Sequence, residues 1–244
     1  MHLRAMLIDA VHPKAERTGY TLALPTDGMA AQLQSPMATT LQLAWVLALA
    51  GDLMAETGPP VPRAALLDRI EAWAAASRPG ALLYHPYISE AGERGPFVNS
   101  HARAGFIGLN STHRFPDLVR AVIEGLGLAA RDCYAVMGPS SSEVRLTGGA
   151  VRSPSLRAIL AAALDAPVRI SSREEAGAAG AAMMASVAIG AYADMDAVLA
   201  RWVTPMLGVP EPPDPELARL YARLYPAYLT ARQALAPTWE AIAG

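Results

Sequence analysis

Residues 143–160 read EVRLTGGAVRSPSLRAIL, and the organisation of the chain is worked out from them. Residues 143–146 form a short strand that ends at Thr147, and a helix is predicted over 155–164. Between them, Gly148 and Gly149 allow positive φ and let another group approach bare backbone. Such a turn presents N–H groups near a helix N-terminus, suited to a flat base, a ribose or a phosphate. A plain tight strand-to-helix connection accounts for the same residues. The next strand is predicted at 168–170 and the next helix at 174–189. Strand, glycine turn, helix, strand, helix describes an α/β layer with parallel strands.

Upstream, strand-like runs occupy 3–8, 20–24 and 29–33. Turn signals separate them, His12-Pro13 in the first gap and Pro25-Thr26-Asp27-Gly28 in the second. A helix is predicted over 38–56, with Trp45, Leu49 and Leu53 at helical spacing, ended by Gly58-Pro59-Pro60. A second starts at Pro62 and stops before Pro79-Gly80, with Leu66, Leu67, Ile70 and Trp73 on one apolar face. After a strand at 81–84 comes an irregular stretch, 85–105. Loops of that length in compact domains usually carry function. A strand at 106–109 then leads to a long helix over 117–137. The tail, 214–243, is helical, with Tyr221, Leu224, Tyr225, Tyr228 and Leu235 on one side.

The 244 residues suffice for one large domain or two small ones. Apolar residues make up 52% and charged residues 17%, which excludes a disordered chain. A net charge of −2 supplies no field to recruit nucleic acid or an anionic membrane. Cys133 alone cannot make a disulfide framework within the chain, so a reducing, cytoplasmic setting is expected. The first 17 residues lack the pattern of a signal peptide. The uncharged run 176–193, AGAAGAAMMASVAIGAYA, is mostly Ala and Gly, and is expected to be a buried helix rather than a membrane span.

Several chemistries fail on spacing. The histidines, His2, His12, His85, His101 and His113, are scattered without the pairing a metal site needs. Ser140-Ser141-Ser142 lacks the strand-to-helix elbow of a serine hydrolase and reads as a polar loop. No Walker-type phosphate loop occurs. Cys133 reads as a small buried apolar residue.

A second segment, AGFIGLNSTHRFPDLVRAVIEG at 104–125, resembles the second signature of the FGGY carbohydrate kinases position by position. Ala104, Phe106, Gly108 and Leu109 precede a seven-residue gap, and Asp117, Leu118, Ala121, Val122, Ile123 and Glu124 fill the helical half. GERGPFVNSHARAGF at 92–106 is similar to the family's G-E-R-x-P loop, though Ala104 departs from its Arg-Gly register. LTGGAVRSP at 146–154 resembles the adenosine motif, and EEAGAAGAAMMA at 174–185 the helix that follows it. ERTGYTLALP at 16–25 and LAWVLALAGDL at 43–53 resemble the polyol and pentulose branch, erythritol-kinase-like members included.

The resemblance implies an actin-like (ribonuclease-H-like) α/β ATPase domain with extra helices, the second domain of a two-domain sugar kinase, spanning 1–244. It implies ATP and Mg²⁺ as co-substrate, a sugar or polyol acceptor, and an aspartate general base in the first, N-terminal domain. Nothing here resembles that domain, and the Gly-Thr phosphate turn expected just before His2 is missing. The chain is therefore expected to be a truncated product, half of a split kinase or an excised piece, inactive alone. A non-catalytic binding or assembly module is the alternative. Self-association or a partner subunit is expected to cover apolar surface. The nucleotide-binding residues implied are Gly148, Gly149 and Ala150 for adenosine, Ser153 for a polar contact, and Thr112 near phosphates or ribose. Ser153 equally suits a helix N-cap, worth about 1 kcal/mol. Glu93 and Arg94 are expected to pair in a salt bridge, Glu124 to be a buried hydrogen-bond anchor, and Gly177 and Gly180 to serve close packing beside the adenine pocket.

Overall fold

Pro116 and Asp117 start the helix around which the other elements are arranged. Proline suits a first helical turn, and the Asp117 carboxylate accepts the Arg114 N–H at 2.8 Å. The structure is a computed structural model that describes residues 2–7, 19–23, 29–37, 41–138 and 142–243. Its helices are α1 (Leu41–Ala55), α2 (Arg63–Leu67), α3 (Ile70–Ala76), α4 (Phe115–Met137), α5 (Pro154–Leu164), α6 (Ala176–Ala188), α7 (Met195–Trp202) and α8 (Pro215–Ala243). Strands are β1 (His2–Leu7), β2 (Tyr20–Ala23), β3 (Met29–Gln34), β4 (Leu83–His85), β5 (Gly105–Ile107), β6 (Val144–Leu146) and β7 (Val168–Ile170).

The strands pair as an antiparallel β1-β3-β2 sheet, an antiparallel β4-β5 pair and a parallel β6-β7 pair. The predicted alternation at 143–170 is thus present. Helix α4 buries Val119, Ile123 and Leu128 against Val46 and Leu47 of α1, Ile70 of α3, Ile159 of α5, and Tyr221 and Tyr228 of α8. A second cluster joins Val144 and Val168 of the parallel pair to Leu160 and Leu164 of α5. Close packing needs small residues on α4. A Cβ at Gly125 would lie 2.5 Å from the Tyr84 carbonyl oxygen, and one at Gly127 would lie 2.8 Å from Ile159.

Three expectations need correcting. The helix predicted from Pro62 is two short helices, because the Arg69 N–H bonds Leu66 O at 3.2 Å and tightens the chain there; this buries both Leu66 and Ile70. Trp45, Leu49 and Leu53 do share a helical stripe, and it faces solvent because Gln42, Val46 and Leu47 take the core side of α1. Helix α6 is not buried: of its residues only Met183 is. Gly177 and Gly180 close against nothing, a Cβ on either meeting open space. Helix α7, with Met195, Val198, Leu199 and Trp202 at helical spacing, and the 3-10 turn at Thr204–Met206 were not anticipated. The turns at His12-Pro13 and 25–28, the start of the helix at 38–40, residues 16–18 and 24–25, and Ser140 and Ser141 lie outside the described residues.

Helix α8 runs through Pro226 and Pro237, both on its solvent side, while Tyr221, Tyr228 and Trp239 are buried. It is held at several points. Tyr221 donates to Glu124 at 3.0 Å, Tyr225 donates to Asp132 at 3.1 Å, and Arg232 pairs with Asp132. Arg232 also stacks over the Phe97 ring at 4.7 Å.

Candidate functional site

Parallel pairing makes the carboxyl ends of β6 and β7 point the same way, with Val144 opposite Val168 and Leu146 opposite Ile170. The Ser171 N–H reaches Leu146 O at 3.1 Å, so the two exits stay together. In open α/β sheets the crevice beyond such ends is where ligands dock. Here the exits are the glycine turn after β6 and residues 171–175 after β7.

Thr147 is extended (φ −135°, ψ 165°), and the chain then reverses at Gly148, whose φ is +75°. Gly148–Arg152 is a 3-10 turn, not the two-residue tight turn expected. Only Gly148 needs glycine for its backbone; Gly149 does not have positive φ. What the pair shares is openness. Both are exposed, and a Cβ on either meets nothing within 4 Å. Ala150 continues the same turn. A flat group can therefore approach this backbone without displacing protein.

Ser153 caps α5: its hydroxyl accepts the Leu156 N–H at 3.1 Å. The hydroxyl proton goes to Glu71 Oε1 at 2.5 Å. Glu71 Oε2 also accepts from the Ser155 N–H at 3.0 Å and the Ser155 hydroxyl at 2.6 Å. Partial burial pushes the Glu71 carboxyl up, but these bonds and the Arg157 charge outweigh it and hold it below its ordinary range. Ser153 thus has no proton to give a ligand; one oxygen lone pair remains to accept from a ribose hydroxyl. Sequence reasoning missed Glu71. It sits in a helix whose only visible signal was an apolar face, 82 residues before Ser153.

Thr112 belongs to a separate exposed turn before α4. Its N–H and hydroxyl both donate to Asn110 Oδ1, at 2.9 and 2.6 Å. Helix α3 touches the start of α4 and the start of α5. Its Trp73 ring meets Phe115 edge-on at 5.1 Å, and its Glu71 holds Ser153 and Ser155. Gly148, Gly149, Ala150 and Ser153 are contiguous on one turn, whereas Thr112 belongs to the turn that leads into α4.

The acids behind these loops are structural. Buried Glu124 accepts from the Gly80 N–H at 2.9 Å, Arg120 at 2.8 Å and Tyr221 at 3.0 Å, and burial raises its carboxyl pKa against those donors. This is the anchor the sequence suggested. The Glu93–Arg94 bridge does not form. Glu93 is buried, accepting from the N–H groups of Met37, Arg94 and Gly95 at 2.8, 2.8 and 3.2 Å. The Arg94 guanidinium instead turns outward to the carbonyl and hydroxyl of Ser35, each at 3.0 Å. Among the described residues no group of three or more His, Cys, Asp or Glu is placed to hold a metal ion. Nor is any helix there long and apolar enough to cross a membrane.

Comparison with known proteins bears on the turn and on the chain as a whole. The erythritol kinase of Brucella abortus (strain 2308) is 57% identical over 243 residues, covering 100% of this chain and 47% of its own. Among solved structures, the ligand-bound xylulose kinase of Lactobacillus acidophilus matches with a TM-score of 0.81 at 22% identity. The xylulose kinase of Rhodospirillum rubrum matches with a TM-score of 0.77 at 28% identity. Each match takes in 98% of this chain and 46% of the other. The chain thus spans about half the length of these relatives. The model of the FGGY family of carbohydrate kinases, C-terminal domain, matches residues 6–189, which take in α4, the glycine turn and α6. On that match and the full-length similarity to the Brucella enzyme, the chain belongs to the FGGY family of carbohydrate kinases and carries its C-terminal domain.

Proposed function

We propose that this chain is the nucleotide-binding domain of a cytoplasmic kinase that passes the γ-phosphoryl of ATP to a hydroxyl of a sugar or polyol. A short polyol of the erythritol kind is the acceptor class favoured by the 57% identical relative. The observation that carries the reading is the open turn at Gly148 and Gly149, beyond the end of a parallel strand. Adenosine would lie against the backbone of Gly148, Gly149 and Ala150, with a ribose hydroxyl donating to Ser153. Mg²⁺ would arrive with ATP. Thr112, on its own turn, would approach the phosphates or ribose. Phosphoryl transfer depends chiefly on positioning and charge stabilisation. The acceptor pocket and the general-base aspartate would come from a second domain, so 1–244 alone would have no turnover.

Chemical-shift titration with adenosine tests the reading. Resonances of residues 148–153 should move in the parent and not in Gly149→Val. That variant keeps its fold, because the added side chain enters open space, yet a branched group fills the room a base requires. Adenosine and ADP should bind alike, in roughly the millimolar range, because one wall cannot bury a ligand as an ordinary pocket does. A perturbation that persists in a folded Gly149→Val places the nucleotide elsewhere. Absence of binding in the parent favours the non-catalytic module. Robust phosphorylation of a polyol by the pure chain would refute the division of labour between two domains.

A further inference from the structure

The Glu71 carboxylate joins α3 to the start of α5 and accepts three hydrogen bonds there. Its Oε1 accepts from the Ser153 hydroxyl at 2.5 Å. Its Oε2 accepts from the Ser155 N–H at 3.0 Å and the Ser155 hydroxyl at 2.6 Å. Partial burial raises its pKa, but these bonds and the Arg157 charge outweigh burial, so the group is ionised at neutral pH. An ionised carboxylate only accepts, and hydrogen bonds to it are roughly twice as strong as neutral ones. The Ser153 proton is therefore committed to Glu71. One lone pair of Ser153 is committed as well, to the Leu156 N–H at 3.1 Å. A serine hydroxyl ordinarily turns to suit its partner, donating to one and accepting from another. Here it has lost that choice. The two Ser155 bonds already tie α3 to α5. The third bond acts on the residue that directly follows the open turn Gly148–Arg152.

We propose that Glu71 is a positioning residue that sets nucleoside specificity: by taking the Ser153 proton it makes Ser153 an acceptor only, so the site takes a nucleoside that presents a hydrogen-bond donor there and rejects one that presents an acceptor. This role rests on the glycine turn being the nucleoside site, and it adds which chemical group the nucleoside must show. A donor completes the remaining lone pair of Ser153. An oxygen in the same place sets two acceptors against each other with no proton between them. Sites built on one-way bonds discriminate well, because the wrong analogue leaves a polar group unpaired. Two groups of adenosine supply the same donor chemistry, a ribose hydroxyl and the exocyclic amine of the base. Without Glu71 the hydroxyl proton is free to turn outward, and Ser153 serves donor and acceptor alike.

Chemical-shift titration of the full chain, read at residues 148–153, is the test. The probes are adenosine, inosine, 2′-O-methyladenosine and 3′-O-methyladenosine. Inosine replaces the exocyclic amine by a carbonyl oxygen, and each methyl ether removes one ribose donor while keeping its oxygen. In the parent, adenosine should bind about fivefold tighter than one of the three analogues, the worth of one hydrogen bond. Which analogue is penalised identifies the source of the donor. In Glu71→Ala that gap should shrink to within about twofold. Ser155→Ala, which loosens the same carboxylate without freeing Ser153, should keep the full gap. A role confined to holding α5 would weaken every nucleoside equally and leave the ratios alone. Specificity set by Glu71 is overturned by a parent that binds all four probes alike, a comparison that needs no variant to fold. A gap that survives Glu71→Ala, or one that is lost in Ser155→Ala, also overturns it. Shifts at 148–153 without any gap overturn this role alone. No shifts there with adenosine overturn the nucleoside site and this role together.

Discussion

Helices α4 and α6 both carry a pair of glycines among apolar residues, and the structure treats the two pairs oppositely. In α4, a Cβ at Gly125 or Gly127 would run into Tyr84 or Ile159. In α6, a Cβ at Gly177 or Gly180 touches nothing. Helix α4 is pinned by Glu124 and Asp132, whose hydrogen bonds reach Gly80, Tyr221, Tyr225 and Arg232. Helix α6 buries Met183 alone. The lesson is that small residues mark a close approach only where something is there to approach.

Removing the anchor at the far end of α4 should have the largest effect. Arg232→Ala leaves the Asp132 carboxylate buried without its charge partner, and breaking a buried pair costs about 3–5 kcal/mol. Hydrogen exchange should speed up across α4 and α8 and change little in α6. Equal loss of protection in α6 would erase the contrast. Next comes Gly125→Ala, which forces a methyl against the Tyr84 carbonyl and should cost about 1–3 kcal/mol in denaturant melts. The same change at Gly180 should reverse sign, adding up to about 1 kcal/mol, because alanine is the better helix former where space is open. Two destabilised variants would mean that α6 is packed after all.

The smallest effect concerns pH. Glu71 holds its proton less tightly in the folded chain than at its ordinary pKa of 4.5. Its contribution is therefore fully present above pH 4.5 and is lost as pH falls through the lower folded value. The stability gap between the parent and Glu71→Gln should be constant near neutrality and narrow under acid. The gap between the parent and Gly180→Ala should not move with pH, since neither form adds a titrating group.

Local signals explain what the sequence revealed. Helix α4 was legible because Pro116, Asp117 and the apolar period lie within one window, and the β6–turn–α5–β7 order because its punctuation is local. Burial was not legible. The period of α1 is compatible with either stripe facing inward, and the choice rests on α2 and α4, far away in sequence. Glu71 was silent for the same reason, since nothing near it anticipates Ser153 and Ser155. Of the candidate site, the contiguous turn from Gly148 to Ser153 could be read from its residues. The separate turn that carries Thr112 is held by Asn110, a local bond that spacing alone does not encode.

The bonds that fix α8 have a consequence for how the chain is made. They join residues 97, 93, 100 and 143 positions apart, from Glu124 to Tyr221, Asp132 to Tyr225 and Arg232, and His85 to Tyr228. Contacts of such range slow folding, because long loops must close before any reward is gained. During synthesis the face of α4 that will receive Tyr221 and Tyr228 therefore waits open while about a hundred further residues leave the ribosome. Nascent chains stalled before α8 emerges should be cut within α4 by a protease and retained by a chaperone. Chains stalled well after it should escape both.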